Sequence, residues 1–187
     1  MFSKNQSGSS LNRQLFETYM ALDNWHQFRL RLFIEGIFVG IAGGLSISLF
    51  RFLLNESEDL RIYLYYACLI PALRRDDLLP LLSYALLLLA IGGALCAMCR
   101  YAPMAGGSGI PQVKGVILGL MKMKWLRILW VKILAGAIGI GAGLSLGREG
   151  PSIQIGAVAG QGLSRMLGRT RMEERYLITS GASAGLA

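Results

Sequence analysis

Histidine is almost absent from this sequence of 187 residues, which contains only His26. That residue precedes every long apolar stretch and lies in a polar segment, where a solvated or interfacial role is the ordinary one for a lone histidine. A serine–histidine or cysteine–histidine pair therefore cannot form among the apolar segments. The scarcity of histidine excludes most enzyme classes, and we expect the protein not to be an enzyme.

Cysteine is also scarce, with three residues at positions 68, 96 and 99. The Cys96-x-x-Cys99 pair closes an apolar run, and the sequence has no second pair that would complete a zinc site. We expect buried, inert thiols, because free cysteine is among the most buried residue types. A redox role for the pair is the alternative, and no metal or organic cofactor is predicted.

The chain has few acidic residues, 11 Asp and Glu against 19 Lys and Arg, which gives a net charge of +8. The basic residues are scattered at the ends of apolar segments and do not form one face with interleaved aromatic residues, so we expect no nucleic-acid partner. Contacts with phospholipid headgroups explain the basic residues better than contacts with a nucleic acid do. With 53% hydrophobic residues and 24 glycines, the composition indicates an integral membrane protein.

The first thirty residues are polar and of mixed charge, unlike a cleavable signal peptide, so we expect a cytoplasmic amino terminus. Residues 1–31 are predicted to form an amphipathic helix on the membrane surface, and residues 32–187 a membrane domain. The run 32–50 is just long enough to cross the bilayer and carries one charge, Glu35. We expect Glu35 to snorkel to the interface, with a buried functional carboxylate as the alternative.

Residues 51–77 mix charges with aromatic residues and are predicted to form an outer loop, with a short interfacial helix around 63–73. The next 22 residues, 78–99, contain no Asp, Glu, Lys or Arg and form the clearest span. A shorter segment at 108–121 is predicted to cross only half of the membrane, and 125–147 to cross it fully. The expected fold is all-α and polytopic, with tilted and half-crossing helices.

Glycines recur at every fourth position in several segments, as Gly115/Gly119, Gly139/Gly143/Gly147, Gly156/Gly160 and Gly181/Gly185. This spacing lets helix backbones approach one another in a membrane. We therefore expect close helix packing in these segments.

Two short glycine motifs open segments of the membrane domain, Gly107-Ser108-Gly109-Ile110-Pro111 and Gly147-Arg148-Glu149-Gly150-Pro151. A helix that starts at glycine presents unpaired backbone N–H groups and the positive end of its dipole, which can hold an anion without a full counter-charge. Proline suits the first turn of such a helix. Glu149 stands where an anion would bind, so its carboxylate could occupy the site and its protonation would vacate it. The motifs predict an anion site with a gate.

A serine hydrolase is an alternative function, because Gly106-Gly107-Ser108-Gly109 matches the GxSG pattern of intramembrane proteases and Ser145 lies in a GxSxG sequence. Neither serine is followed by a histidine, and no strand is predicted before Ser145. The hydrolase is therefore the least favoured interpretation.

The two motifs occur in this order, are separated by one long span, and are followed by Gly181-Ala182-Ser183-Ala184-Gly185-Leu186-Ala187. Together they resemble the CLC family of chloride channels and chloride/proton antiporters, from about Leu32 to the end. The resemblance implies the front part of the family's inverted-repeat fold. It also implies that the Ser108 hydroxyl and the amides near Gly107 bind chloride, while the amides from Gly147 to Gly150 face the outer chloride position.

The resemblance further implies that Glu149 is the gating glutamate. Arg148 flanks it and would either steer anions or pair with a carboxylate elsewhere. Lys132, in an otherwise apolar span, would be a buried cation near the pathway, with snorkelling to the interface as the alternative.

The function implied by the resemblance is the transport of chloride and similar inorganic anions, as voltage-sensitive chloride/proton antiport. A chloride channel without proton coupling is the alternative. The expected partners are chloride, protons and the lipid bilayer, with a homodimer for the full-length protein and the bacterial plasma membrane as the location. The family's second half is not in this sequence, so we expect the chain alone neither to transport nor to dimerise as the family does.

Overall fold

The computed structural model describes the backbone of residues 6–75 and 78–187 and, apart from four positions between 68 and 75, the side chains from residue 30 onward. The helices in chain order are α1 (Gln6–Leu64), α2 (Ile70–Arg75), α3 (Leu78–Tyr101), α4 (Ile110–Ile117), α5 (Trp125–Gly141), α6 (Glu149–Met166) and α7 (Arg171–Ala184). A π-helical turn (Tyr65–Leu69) joins α1 to α2, and a 3-10 turn (Pro103–Ala105) follows α3. The all-α architecture agrees with the prediction, and the eight residues of α4 form the short helix expected after the first motif.

Helix α1 is 59 residues long and passes through residues 31 and 32 without a break. The apolar face predicted for residues 1–31 lies outside the described side chains, so the surface helix stays a prediction. The prediction of an outer loop was wrong for residues 51–64, because α1 continues to Leu64. One of its charged side chains contacts protein here, since Glu58 pairs with Arg148. The π-helical turn and α2 occupy the place of the predicted short helix around residues 63–73.

Within the part of the chain that the structure describes, two segments are long and apolar enough to span a membrane, Leu30–Ala67 and α3. Helix α3 has no buried residue, and Cys96 and Cys99 are exposed on it. The prediction of buried thiols was therefore wrong for these two cysteines, because an all-apolar span does not reveal in its sequence which side meets protein. The Cys68 side chain lies outside the described residues. Helix α5 ends at Gly141, not at residue 147, since the chain turns through Gly143 with a φ of +91°.

Helix α6 lies at the centre of the packing, against α1, α5 and α7. From Gly150 to Gly162 every residue except Ile153 is buried. The backbones of α6 and α7 touch directly, because a Cβ atom on Gly156 would overlap the Gly181 carbonyl and one on Gly160 the Leu177 carbonyl. The predicted close packing at these glycines is confirmed.

Several basic residues gather at one end of the bundle. The ends of α3, α5 and α6 meet there around a cavity of about 500 Å³ whose walls include Lys124, Arg127 and Arg165. At the same end, buried Glu35 pairs with Arg169 of the α6–α7 turn. The expectation that Glu35 snorkels was wrong, because its carboxylate is enclosed between helices and paired.

We predict that Gly160→Ala destabilises the packing of α6 on α7 by about 1–3 kcal/mol, because the new methyl group meets backbone that cannot move aside. Gly44→Ala is the matched control, since nothing lies within 4 Å of its Cβ position in the described structure. The measurement is the unfolding midpoint in a graded SDS titration followed by circular dichroism. Equal midpoints for the two variants would contradict the α6–α7 contact.

Candidate anion site

The first motif forms a glycine turn between α3 and α4. Gly107 and Gly109 adopt left-handed backbone conformations, with φ of +68° and +88°, which side chains other than glycine rarely adopt. A Cβ on Gly109 would also overlap the side chain of Gln154. Helix α4 then begins at Ile110 with Pro111 in its first turn, and no side chain of the described residues caps it. The first N–H groups of α4 are therefore left for another partner.

Lys132 reaches this turn from the middle of α5. It is 5% exposed, and its Nζ donates hydrogen bonds to the carbonyl oxygens of Ala105 (2.9 Å) and Gly107 (2.6 Å). The snorkelling alternative was therefore wrong, and the position beside the first motif agrees with the implied buried cation. Its part in an anion pathway stays a prediction.

Two glutamines complete the same pattern of bonds along residues 104–107. Gln154 Nε2 donates to the Met104 carbonyl (2.7 Å), and Gln112 Nε2 donates to the Gly106 carbonyl (3.1 Å). With the two bonds from Lys132, four successive carbonyl oxygens accept hydrogen bonds from side chains. Carbonyl oxygens repel anions, so their pairing makes the turn more favourable for negative charge.

The second motif contacts the first through Gly150. Helix α6 begins at Glu149 without a side-chain cap from the described residues, and Arg148 stands at its cap position. A Cβ atom on Gly150 would lie 2.5 Å from the Ser108 carbonyl oxygen and 2.7 Å from its Oγ. Only glycine allows this approach, so the two helix starts meet at the Ser108 and Gly150 backbones.

All the predicted site residues line one cavity of about 790 Å³ between α3, α5 and the two motifs. These residues are Gly107, Ser108, Lys132, Gly147, Arg148, Glu149 and Gly150. The cavity holds a hydroxyl group, two helix starts and two cationic side chains, which is a set suited to a small anion.

Glu149 stands at the boundary between two cavities. Besides the large one, it lines a cavity of about 400 Å³ formed with Phe50, Arg51, Leu54 and Asn55 of α1. Arg148 is the other residue that lines both. The two spaces therefore share the Glu149 and Arg148 side chains as part of their walls.

Arg148 forms an ion pair with Glu58 of α1. This is the pairing alternative left open by the sequence. The Arg148 side chain is 58% exposed, and a pair of this exposure contributes little to stability. Its main effect is to hold a positive charge beside the start of α6.

Sequence reasoning missed Glu58, Gln112 and Gln154. Glu58 carries no local signal, since its partner is 90 residues away. A signal did exist for Gln154, which lies seven residues before Gln161, and the residues from Gly150 to Ser164 are otherwise small or apolar. That spacing puts both amides on one face, where a buried amide needs a partner.

The sequence model of the family described as voltage gated chloride channel matches residues 86–187. This match covers more than half of the chain. The chain belongs to that family. It is therefore an integral membrane protein, as its composition predicted.

Curated relatives include two proteins named H(+)/Cl(-) exchange transporter ClcA. The chain is 45% identical to that of Cronobacter sakazakii over 89 residues, which cover 47% of this chain and 19% of the relative. It is 41% identical to that of Citrobacter koseri over 125 residues, which cover 62% of this chain and 26% of the relative.

A crystal structure of a slow cyanobacterial Cl-/H+ antiporter is also similar, with a TM-score of 0.68 and 35% identity. The match covers 84% of this chain and 36% of that one. The fold of the chain is thus that of the corresponding part of a CLC antiporter. The aligned residues span only about a fifth to a quarter of the length of the two curated relatives.

We predict that Gly150→Ala weakens chloride binding by about tenfold or more, because its methyl group forces the start of α6 away from Ser108. Gly147→Ala is the control, since its Cβ position has nothing within 4 Å in the described structure and its N–H is retained. Broadening of the ³⁵Cl NMR line by the purified chain in detergent reports the binding. Equal losses in both variants would refute the contact as the cause.

We predict that Lys132→Met also weakens chloride binding by about tenfold, because two charge-assisted bonds to the turn and one buried positive charge are lost. Lys114→Met is the matched control, since Lys114 is exposed on neighbouring α4. The same ³⁵Cl NMR measurement compares chloride binding by the two variants. Unchanged binding in Lys132→Met would show that the turn keeps its shape without the ammonium group.

Proposed function

We propose that the protein to which these residues belong moves chloride and similar inorganic anions across a membrane in exchange for protons. The observation that carries this proposal is the meeting of two uncapped helix starts at Ser108 and Gly150, with Glu149 between two cavities. The names of the relatives, which are H(+)/Cl(-) exchange transporters, support it.

The anion is held by groups that carry no full negative charge. The Ser108 hydroxyl and the amide of Gly107 donate to it from the first motif, and the amides between Gly147 and Gly150 donate from the second. Lys132 and Arg148 both line the cavity and add positive potential to it, that of Arg148 being reduced by its ion pair with Glu58. Chloride is thus bound by dipoles and nearby charge, without a cofactor or a metal ion.

Glu149 links this anion to a proton. Its ionised carboxylate competes for the N–H groups at the start of α6 and takes the place of chloride. Protonation removes the negative charge, so the side chain leaves and chloride enters. Each exchange of carboxylate for chloride therefore includes one proton.

A chloride channel is the second candidate, and the description of the matching family favours it. In a channel, the same carboxylate would open and close the path without a fixed proton ratio. A serine hydrolase has weaker support, because a serine nucleophile needs a neighbouring base. Ser108 has Gly150 beside it, and the only histidine of the sequence is His26. We propose that the protein is not an enzyme.

The distribution of charge supports an orientation in the membrane. Basic residues at the ends of α3, α5 and α6 lie together, and such residues favour the cytoplasmic side. We place this end and the amino terminus in the cytoplasm, in a bacterial plasma membrane, and propose that the whole protein is a homodimer.

We predict that Glu149→Gln makes chloride binding independent of pH. In the unchanged chain, binding should strengthen as the pH falls, because the protonated carboxyl no longer competes with chloride. The glutamine variant should bind at every pH as the unchanged chain does in acid. The measurement is ³⁵Cl NMR across a pH series.

Glu56→Gln is the control, because Glu56 is an exposed carboxylate of α1 outside both cavities. It should keep the pH dependence. A Glu149→Gln chain whose binding still followed pH would eliminate this gate. In the whole protein reconstituted into liposomes, chloride-driven proton movement identifies an exchanger, and chloride flux without it identifies a channel.

A further inference from the structure

A second cluster of charged residues lies at the far end of α6, about 24 Å along the helix axis from Glu149. It surrounds a cavity of about 240 Å³ between the end of α4, the last turns of α6 and the first turns of α7. Four cationic side chains line it, with one carboxylate, Glu174. The cations are Lys122, Arg165, Arg171 and Arg175.

The carboxylate is already paired. Glu174 Oε1 accepts hydrogen bonds from Arg165 Nε (3.2 Å) and from Gln161 Nε2 (2.9 Å). The neighbouring Glu173 is engaged with Thr170 in the capping box of α7. The acidic groups of this end of α7 are thus used within the protein.

Three cations remain without an acidic partner among the described side chains, namely Lys122, Arg171 and Arg175. Arg175 reaches the turn after α4, because its Nη2 lies 2.7 Å from where a Cβ on Gly119 would be, and Gly119 has a φ of +79°. The turn after α4 therefore provides room for this guanidinium group. Positive charges placed together repel one another unless an anion binds between them.

The wall of the cavity also contains an unsatisfied acceptor. Gln161 is 1% exposed, and its Oε1 has no hydrogen-bond partner within the described structure. Because this oxygen is itself enclosed, a hydroxyl group on a bound molecule satisfies it only once the amide turns toward the cavity. The cavity thus combines two guanidinium groups, an ammonium group and a buried acceptor.

We propose that this pocket binds a hydroxyl-bearing phosphate group, by the forks of Arg171 and Arg175 and the point charge of Lys122. Guanidinium groups match phosphate oxygens in pairs, and basic pockets between membrane helices on the cytoplasmic side suit lipid headgroups. The phosphate is that of an anionic phospholipid or of a soluble phosphate compound, since both present the same chemistry.

The test is native mass spectrometry of the 187-residue chain in detergent, titrated with dioleoyl-phosphatidylglycerol or dioleoyl-phosphatidylcholine. We expect phosphatidylglycerol to bind about tenfold more tightly than phosphatidylcholine. In Lys122→Gln/Arg171→Gln, the phosphatidylglycerol affinity should fall about tenfold. Lys124→Gln/Arg127→Gln removes the same charge from the same end outside this cavity, and should leave the affinity unchanged.

Inorganic phosphate distinguishes the two sources. If it displaces phosphatidylglycerol at millimolar concentration, the pocket takes soluble phosphate as well; if it does not, the lipid is the ligand. The single variant Arg171→Gln, at an exposed position, repeats the comparison if the double variant loses helicity by circular dichroism. Equal phosphatidylglycerol affinities in the pocket variants and the control pair would overturn the proposal.

Discussion

The candidate anion site depends on a buried ammonium group that is bonded to backbone oxygen. Burying an ammonium group costs several kcal/mol unless polar partners surround it, and Lys132 finds them in the carbonyls of Ala105 and Gly107. No carboxylate of the described side chains pairs with it, so its charge is not cancelled. The same two bonds hold carbonyl oxygens that would otherwise repel an anion. Lys132 therefore stabilises the turn and keeps the cavity positive through one set of contacts.

Glycine residues fix the position of α6, the helix that follows the second motif, through contacts with α7 and with Ser108. Gly156 and Gly160 let α6 rest on the backbone of α7, and Gly150 lets its first turn rest on Ser108. Contacts between backbones leave little freedom for sliding, because no flexible side chain lies between them. The distance between the N–H groups of the two motifs thus depends on packing along much of α6. If a glycine contact far from the site were lost, the whole helix would shift and this distance would change.

The features of the site that depend on residues close together in the sequence could be predicted from it. Glycine and proline at a helix start act within a few residues, so both motifs and Glu149 could be recognised, and the structure puts every predicted site residue around one cavity. The predictions that were wrong concern residues whose contacts are distant in the sequence. The charges of Glu35 and Glu58 looked solvated, yet they pair with Arg169 and Arg148 on other elements. Likewise, the uniformly apolar sequence of α3 could not show that Cys96 and Cys99 lie on an exposed face.

Helix electrostatics gives a reason for an external anion at the far end of α6. Cations there are favourable for α6 itself, because Arg165 lies at the negative end of its dipole. For α7 the same place is the positive end, where Arg171 at the first position costs about 0.3–1 kcal/mol. Glu173 and Glu174 offset this cost only in part, since one forms the cap and the other pairs with Arg165. A phosphate group between the unpaired cations would offset this cost, so the arrangement that is unfavourable when empty becomes favourable once the anion is bound.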